Sequence, residues 1–531
     1  MSTLAYTLLA ASGGGGGSNY YVAFAGATST PKPDSGFNSG TSLVTNADAD
    51  IIIGGRADHS SGSKSCLLYN IKNSDLSIDN LANTLWGTAG SPNGADQAWP
   101  MGGGWSIGTQ EGDSGGRYST VMISAGYNVI GTYWGKPSTW NSSTNKKGAD
   151  FSSGSNPRNS KDSTLSKEDN RDLYTLSDTY SSPSTSAYNT LFIKFKQSTP
   201  DTGTPTSNQS DSRELGSSYS STTCRGYSID TDSSGNAYIG GKWIKPYSSA
   251  GYYFPYIARL NQSGLGLEYI KYINDDYAYN DGVHNLCVHG SHIYVAYDGK
   301  GKSASSDGNT RRIVICKINT SDGSLVWSRS VRTNRTGAGG GTEKCIGIDT
   351  DSDGNVYYFI RTENDANFGN QTDPTNAGSN VRNGIAKINA DGTFGFCNVL
   401  GGDVGRYIDN WDEGKGNRLV CDELDGISVA LAKENGDSMG SSNNKMAFLR
   451  VPQDGSGTSS SAITVGNTSR TFYYNTSTSA NSVITYSMTT ENVTQYVFQQ
   501  AQNNSDNNLA GPCNPVGYTV PSGHTITSTD I

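Results

Sequence analysis

The sequence predicts an all-β protein built from repeated four-stranded units. Three observations carry that prediction. The composition disfavours long helices: Gly 66 and Tyr 31 are high, charged residues are only 16%, and Ser, Thr and Asn, which compete with the helical backbone, are abundant. No window of about 15 residues holds a helical apolar period. A strand–turn–strand unit also recurs, as "YSIDTDSSGNAYIGGKW" (Tyr227–Trp243) and "IGIDTDSDGNVYYFI" (Ile346–Ile360).

Each copy leads into an apolar, cationic, turn-ended strand, "YIARLNQSG" (Tyr256–Gly264) or "GIAKINADG" (Gly384–Gly392), and then an aromatic strand, "LEYIKYIND" (Leu267–Asp275) or "TFGFCNVLGG" (Thr393–Gly402). "HNLCVHGSHIYVAYDG" (His284–Gly299) with "IVICKINTSDGSLVWSRSV" (Ile313–Val331) supplies a third full unit. Four antiparallel strands every roughly 40 to 50 residues predict a β-propeller, because one such unit cannot cover its own apolar faces and a ring of them can. Weaker copies, "DIIIGGRAD" with "LLYNIKN", "VIGTYWGK" with "LFIKFKQ", and "ISVALAKE" with "AFLRVPQDG", bring the expected blades to six: 41–90, 117–216, 224–276, 283–333, 344–402 and 415–455.

The last unit lacks a fourth strand after Gly455, and "YYVAFAGAT" (Tyr20–Thr28) resembles one. It is expected beside Ala447–Val451, closing the ring. Residues 1–19 read as a Gly-rich lead-in and 20–455 as the propeller. Residues 137–187, rich in Ser, Asn, Lys and Asp, read as a long inserted loop, and 456–531 as a C-terminal β appendage. The appendage holds too many aromatic and apolar residues to stand in water, so it should pack on the propeller or on another chain.

The net charge of −9 and the lack of a basic stripe argue against nucleic acid as partner. No run of 18 apolar residues exists, so no membrane insertion is expected. The first basic residue is Lys32, which leaves a signal peptide without its charged start. Eight scattered cysteines with no CxxC predict free buried thiols and synthesis in a reducing cytoplasm.

Asp349, Asp351 and Asp353 have the opening spacing of a calcium loop, but position twelve is Ile360 and the flanks are β-rich. A hairpin turn is the expected reading, with a surface cation on the three aspartates as the weak alternative. His284, His289 and His292 with Cys287 alternate along strands and point to no metal. Acidic pairs (Asp275–Asp276, Asp412–Glu413, Asp422–Glu423) suit solvated loops, and "GAGGGTEK" precedes a strand, so neither marks catalysis or phosphate binding. No cofactor is expected. The better lead is aromatic: Trp99, Trp105, Trp134, Trp140, Trp411, Tyr252, Tyr253 and Tyr277 sit in or near polar loops. Aromatic faces among Asn, Asp and Ser suit carbohydrate rings or a protein partner.

The unit "DxDSSGNxYxxG … hhxKhxxDG … hxW", strongest at Asp230–Gly240, Asp349–Tyr358, Lys317–Trp327 and Lys387–Phe396, resembles the bacterial seven-bladed-β-propeller-type repeat. The whole layout, from Gly-rich lead-in to low-charge tail, looks like propeller proteins of marine cyanophage virions. That resemblance implies a non-enzymatic structural component of a tailed-phage tail, baseplate or fibre, made in the host cytoplasm. Its partners would be other virion proteins, in a homo-oligomeric or symmetric assembly, and a host-surface glycan. The alternative is an exported bacterial glycan-binding or glycan-active propeller.

Overall fold

The computed structural model describes residues 20–27, 32–33, 42–45, 48–58, 64–86, 120–125, 129–135, 146–150, 157–168, 172–180, 188–195, 210–217, 223–244, 253–274, 282–299, 312–331, 334–335, 342–363, 366–367, 382–401, 419–431, 445–457, 459–464, 471–477, 480–501, 513–518 and 524–530. Among them there is no helix, and hence none long and apolar enough to cross a membrane. All strands pair antiparallel, forming separate sheets that we number in chain order.

Sheet 4 shows the pattern: Cys224–Thr231, Ala237–Ile244, Tyr253–Leu260 and Leu267–Asn274 lie side by side in chain order. Sheet 5 repeats it with Val283–His289, His292–Gly299, Arg312–Asn319 and Leu325–Val331. Sheet 6 uses Thr342–Thr350, Val356–Glu363, Arg382–Ile388 and Phe394–Gly401. Sheet 1 uses Ser42–Thr45, Ile51–Asp58, Lys64–Ile71 and Ile78–Trp86. Sheet 7 has Leu419–Cys421, Gly426–Leu431 and Lys445–Pro452, and its fourth strand is the N-terminal Tyr21–Ala27, with Tyr21 opposite Arg450 and Gly26 opposite Lys445. That is the pairing expected from the sequence.

Two expectations need correction. Residues 137–187 are no simple loop. They contain Lys146–Asp150, third strand of a three-stranded sheet 2 behind Thr120–Ala125 and Val129–Gly135. They also contain Pro157–Leu165 and Leu173–Tyr180, which open sheet 3 ahead of Tyr188–Phe195 and Ser210–Ser217. The former single unit 117–216 is therefore two sheets, and seven sheets of three or more strands stand among the described residues where six were expected. The reason is chemical. These strands bury Lys161, Asp162, Ser163, Thr175, Ser177, Asp178 and Thr179, so they lack the apolar alternation that marks a half-buried strand.

The C-terminal residues pack on the repeat sheets, one of the two placements expected, but as added edge strands rather than as an appendage with a sheet of its own. Their strands join the outer edges of the other sheets, one after another, in reverse chain order. Ser459–Thr464 and Thr471–Thr476 extend sheet 6, Val483–Thr485 sheet 5, Thr489–Asn492 sheet 4, Tyr496–Gln500 sheet 3, Cys513–Tyr518 sheet 1 and His524–Asp530 sheet 7. The belt keeps one register. Ser477, Tyr486, Val493 and Ala501 each donate a backbone N–H to the carbonyl of Cys397, Ser328, Ile270 and Ser212, the same position on four successive fourth strands. Each step buries side chains of its own: Tyr474, Ser477 and Ala480 at sheet 6, Tyr486 at sheet 5, Val493 at sheet 4 and Ala501 at sheet 3.

The apolar core lies between sheets. Five clusters each join two successive sheets, from sheet 3 against 4 round to sheet 7 against 1. In the first of these Trp243 is fully buried, with Tyr256 and Tyr272 edge-on to it at 85° and 82°. The first strands also adjoin in series: those of sheets 2, 3, 4, 5, 6, 7 and 1 pack each on the next. The architecture is all-β and propeller-like.

Candidate functional site

The aspartate-rich turns are structural. Asp351 Oδ1 accepts the backbone N–H of Asp353 and Asn355, and its Oδ2 accepts from Asn355 Nδ2 and the Tyr357 hydroxyl at 2.8 and 2.9 Å. Asp232 does the same for Ser234, Asn236 and Tyr238. Gly354 and Gly235 take the positive φ the turn requires, 77° and 74°. Asp349 faces away, accepting the Cys421 N–H of sheet 7 at 2.9 Å, as Asp230 accepts the Val288 N–H of sheet 5 at 2.7 Å. Asp353 is exposed. The three carboxylates diverge, so the weak calcium alternative loses its ligand set. No group of three or more metal-ligating side chains stands among the described residues.

The cationic third strands are staples of the same kind. Lys194 reaches the carbonyl of Gln262, Arg259 that of Thr320, and Lys317 that of Ala390, each in the turn of the next sheet. Asp422, read as half of a solvated acidic pair, is buried under a two-pronged ion pair with Arg450 at 2.8 and 2.9 Å. Charges at repeat positions thus register one sheet on the next.

At the tight-turn end of the first strands, polar groups from several sheets meet. Lys167 Nζ, following the first strand of sheet 3, lies 2.5 Å from Asp230 and donates to the Val288 carbonyl at 2.9 Å. Burial pulls its pKa down, but the charge and hydrogen bond of Asp230 more than offset this and leave it above the ordinary lysine value. Asp349 feels Lys167 across the gap. Burial pushes its carboxyl up to about 6, against the hydrogen bonds from Cys421 and Thr350. Burial likewise raises the Cys287 and Cys421 thiols well above their usual range, so both stay protonated. Lys167 keeps 34% of its side-chain surface.

The opposite end offers different chemistry. The first strands of sheets 3, 4, 5 and 6 each carry a β-bulge, which inserts Lys161, Tyr227, His284 and Ile346. A bulge re-aims its side chain, and here successive ones meet: Lys161 Nζ lies 5.7 Å from the Tyr227 ring, and Tyr227 stacks on His284 at 5.5 Å and 5°. Equivalent positions on the second strands carry Asp178, Lys242, Asp298 and Arg361, alternating in sign round the molecule. Arg225 grips Asp178 at 2.6 and 3.1 Å and covers the Tyr188 ring at 4.6 Å. Lys242 covers Tyr253 at 4.7 Å, and His284 Nε2 is 3.4 Å from Asp298. Arg225, Tyr188, Tyr253 and His284 are partly buried, Arg225 and His284 keeping 19% and 14% of their side-chain surface, and the residues beneath them are buried. Such a rim can stack planar or apolar faces of a ligand and hydrogen-bond its polar groups.

Among the aromatic candidates, Tyr253 is part of this rim. Trp134 lies in the strand Val129–Gly135, opposite Val121, rather than in a loop. Trp99, Trp105, Trp140, Trp411, Tyr252 and Tyr277 lie outside the described residues. In chain order all six fall in segments that join a second strand to a third, or a fourth to the next first. The flanking strands of every such segment end on the side where Arg225 and Tyr253 sit. Arg225, Lys242 and Tyr188 were missed in the sequence, and His284 was weighed there only as a metal ligand. The bulges that stack Tyr227 on His284 leave no local signal beyond one extra residue.

No protein-family model and no curated protein matches the chain. A solved structure titled phage phi92 endosialidase matches at 11% identity and a TM-score of 0.39, over 85% of this chain and 72% of that one. A likeness so distant carries no argument about what this chain binds or does. It does correct one expectation. Likeness to phage proteins was taken to imply a chain without enzymatic activity, yet a phage protein it matches is itself titled an enzyme. The non-enzymatic expectation is withdrawn.

Proposed function

We propose that the chain is a closed β-propeller that serves as a structural component of a tailed-phage virion and contacts the host-cell surface with its loop-bearing end. Seven blades form the ring, sheet 7 meeting sheet 1, with the N-terminal strand as the clasp. The observation that carries the reading is the junction in sheet 7. Tyr21–Ala27 lies between Lys445–Pro452 and His524–Asp530, so strands from early and late in the sequence share one sheet. A ring tied this way resists opening at that seam, which suits a particle that must persist outside a cell. The resemblance of the whole layout, from Gly-rich lead-in to low-charge tail, to cyanophage virion propellers supports the same assignment. Five buried free thiols fit assembly in a reducing cytoplasm followed by release.

The contact surface is the rim of Arg225, Tyr188, Tyr253 and His284. Its ligand is a host-surface glycan, whose rings stack on aromatic faces. Mass spectrometry of purified, washed phage particles tests the virion assignment: the protein should be present at stoichiometric level. Recovery of the chain only from the supernatant of uninfected bacteria would overturn it in favour of an exported glycan-binding propeller. For the rim, Tyr253→Ala should reduce particle adsorption to host cells without lowering incorporation.

A further inference from the structure

We infer that the belt strand Tyr496–Gln500 is a self-association edge, pairing antiparallel with the same strand of a second copy of this chain. The inference deepens the assembly part of the proposed function by naming the partner and the surface.

Three observations carry it. First, Tyr496–Gln500 is the outermost strand of sheet 3 among the described residues, so its far edge presents backbone donors and acceptors. Natural sheets blunt such edges with Lys, Pro or inward charge, and "YVFQQ" has none of these. Second, the edge is apolar where it meets solvent. Only four large hydrophobic side chains are exposed among the described residues, and two of them are neighbours here: Tyr496 at 41% and Val497 at 39%. Phe498 packs inward against the core between sheets 3 and 4, and so anchors the strand.

Third, the charge pattern selects the partner. The chain carries a net −9, so two copies repel each other over most of their surfaces. Residues 471–505 contain a single charge, Glu491, and that lies on the neighbouring step of the belt. A cationic partner would be drawn to the acidic surface elsewhere. A second acidic copy can approach only where charge is absent. Antiparallel pairing of one strand with itself is two-fold symmetric and closes after two copies. Centred on Phe498, it sets each Tyr496 opposite the other copy's Gln500 and each Val497 opposite Gln499, with no like charges facing.

Sedimentation velocity of the full-length protein over about 1 to 50 µM tests this. A dimer is expected, and Val497→Lys, which sets two ammonium groups diagonally across the two-fold on one face of the joined sheet, should shift dissociation upward by at least about tenfold while the far-UV circular dichroism stays that of the wild type. The double variant Val497→Cys/Gln499→Cys, which sets a thiol opposite a thiol across the two-fold, should form an intermolecular disulfide under mild oxidation. A monomer throughout the concentration range overturns the inference, as does a dimer indifferent to Val497→Lys. A dimeric chain absent from particles overturns the virion assignment alone, and a monomeric chain present in them overturns this inference alone.

Discussion

Replacing Asp349 by Asn should stabilise the protein near neutral pH and remove part of its pH dependence. The carboxyl is pushed from 3.8 up to about 6, chiefly because burial disfavours its charged form. A folded-state pKa above the unfolded one means that the native state holds the proton more tightly. The stability it contributes is fully present below about pH 4 and is lost as pH rises through about 6. Between pH 5 and 7.5 the wild type should lose ~1.4 kcal/mol through this residue. The amide keeps one oxygen, enough for the Cys421 N–H or the Thr350 N–H but not both, a loss of about 1 kcal/mol. The variant should therefore exceed wild type by roughly 1–2 kcal/mol at pH 7.5, and the gap should close towards pH 5. Urea unfolding at pH 5.0, 6.0 and 7.5 measures it. A difference that stays constant with pH, or that widens on acidification, would refute the assignment of Asp349 as a strained buried carboxyl.

Three further outcomes follow from the geometry. Arg450→Leu leaves Asp422 charged and buried, so it should cost roughly 3–5 kcal/mol in denaturant unfolding, while the Arg450→Leu/Asp422→Leu pair should recover much of that. Ending the chain at residue 512 uncovers the outer edges of Ile78–Trp86 and Tyr21–Ala27. Pulse proteolysis should then show faster unfolding, with early cleavage near the N-terminal strand. Millimolar calcium, or a chelator, should leave the melting temperature unchanged, because Asp349, Asp351 and Asp353 face three different surroundings; a rise of several degrees with calcium would reveal a site.

The sequence determined a good deal by itself. Apolar alternation and the turn glycines located the four repeat strands of sheets 4, 5 and 6, and the resemblance of "YYVAFAGAT" to a fourth strand placed it correctly in sheet 7. Those features are local: a hairpin's register is written in its turn and its two-residue period. The turn aspartates were legible as turn formers for the same reason, since Asp351 bonds residues two and four places on.

What lies between sheets was decided only in three dimensions. The strands Pro157–Leu165 and Leu173–Tyr180 bury polar side chains that look solvated in one dimension. They become strand-like only where Asp162 meets the Ile229 N–H and Arg225 meets Asp178. The path of the belt is likewise invisible in its own residues, because a short edge strand such as Val483–Thr485 has no preference for sheet 5 until the carbonyl of Ser328 stands in reach of Tyr486. The candidate rim follows the same rule. Tyr253 announced itself as an aromatic near a loop, but Arg225 meets Asp178 and Tyr188 only across two sheets, and Tyr227 stacks on His284 only because a bulge on each strand re-aims both rings, and a one-residue bulge changes side-chain direction without changing composition. Local periodicity encodes which residues form strands; which strands share an edge, and which charges share a partner, depend on packing between segments distant in the chain.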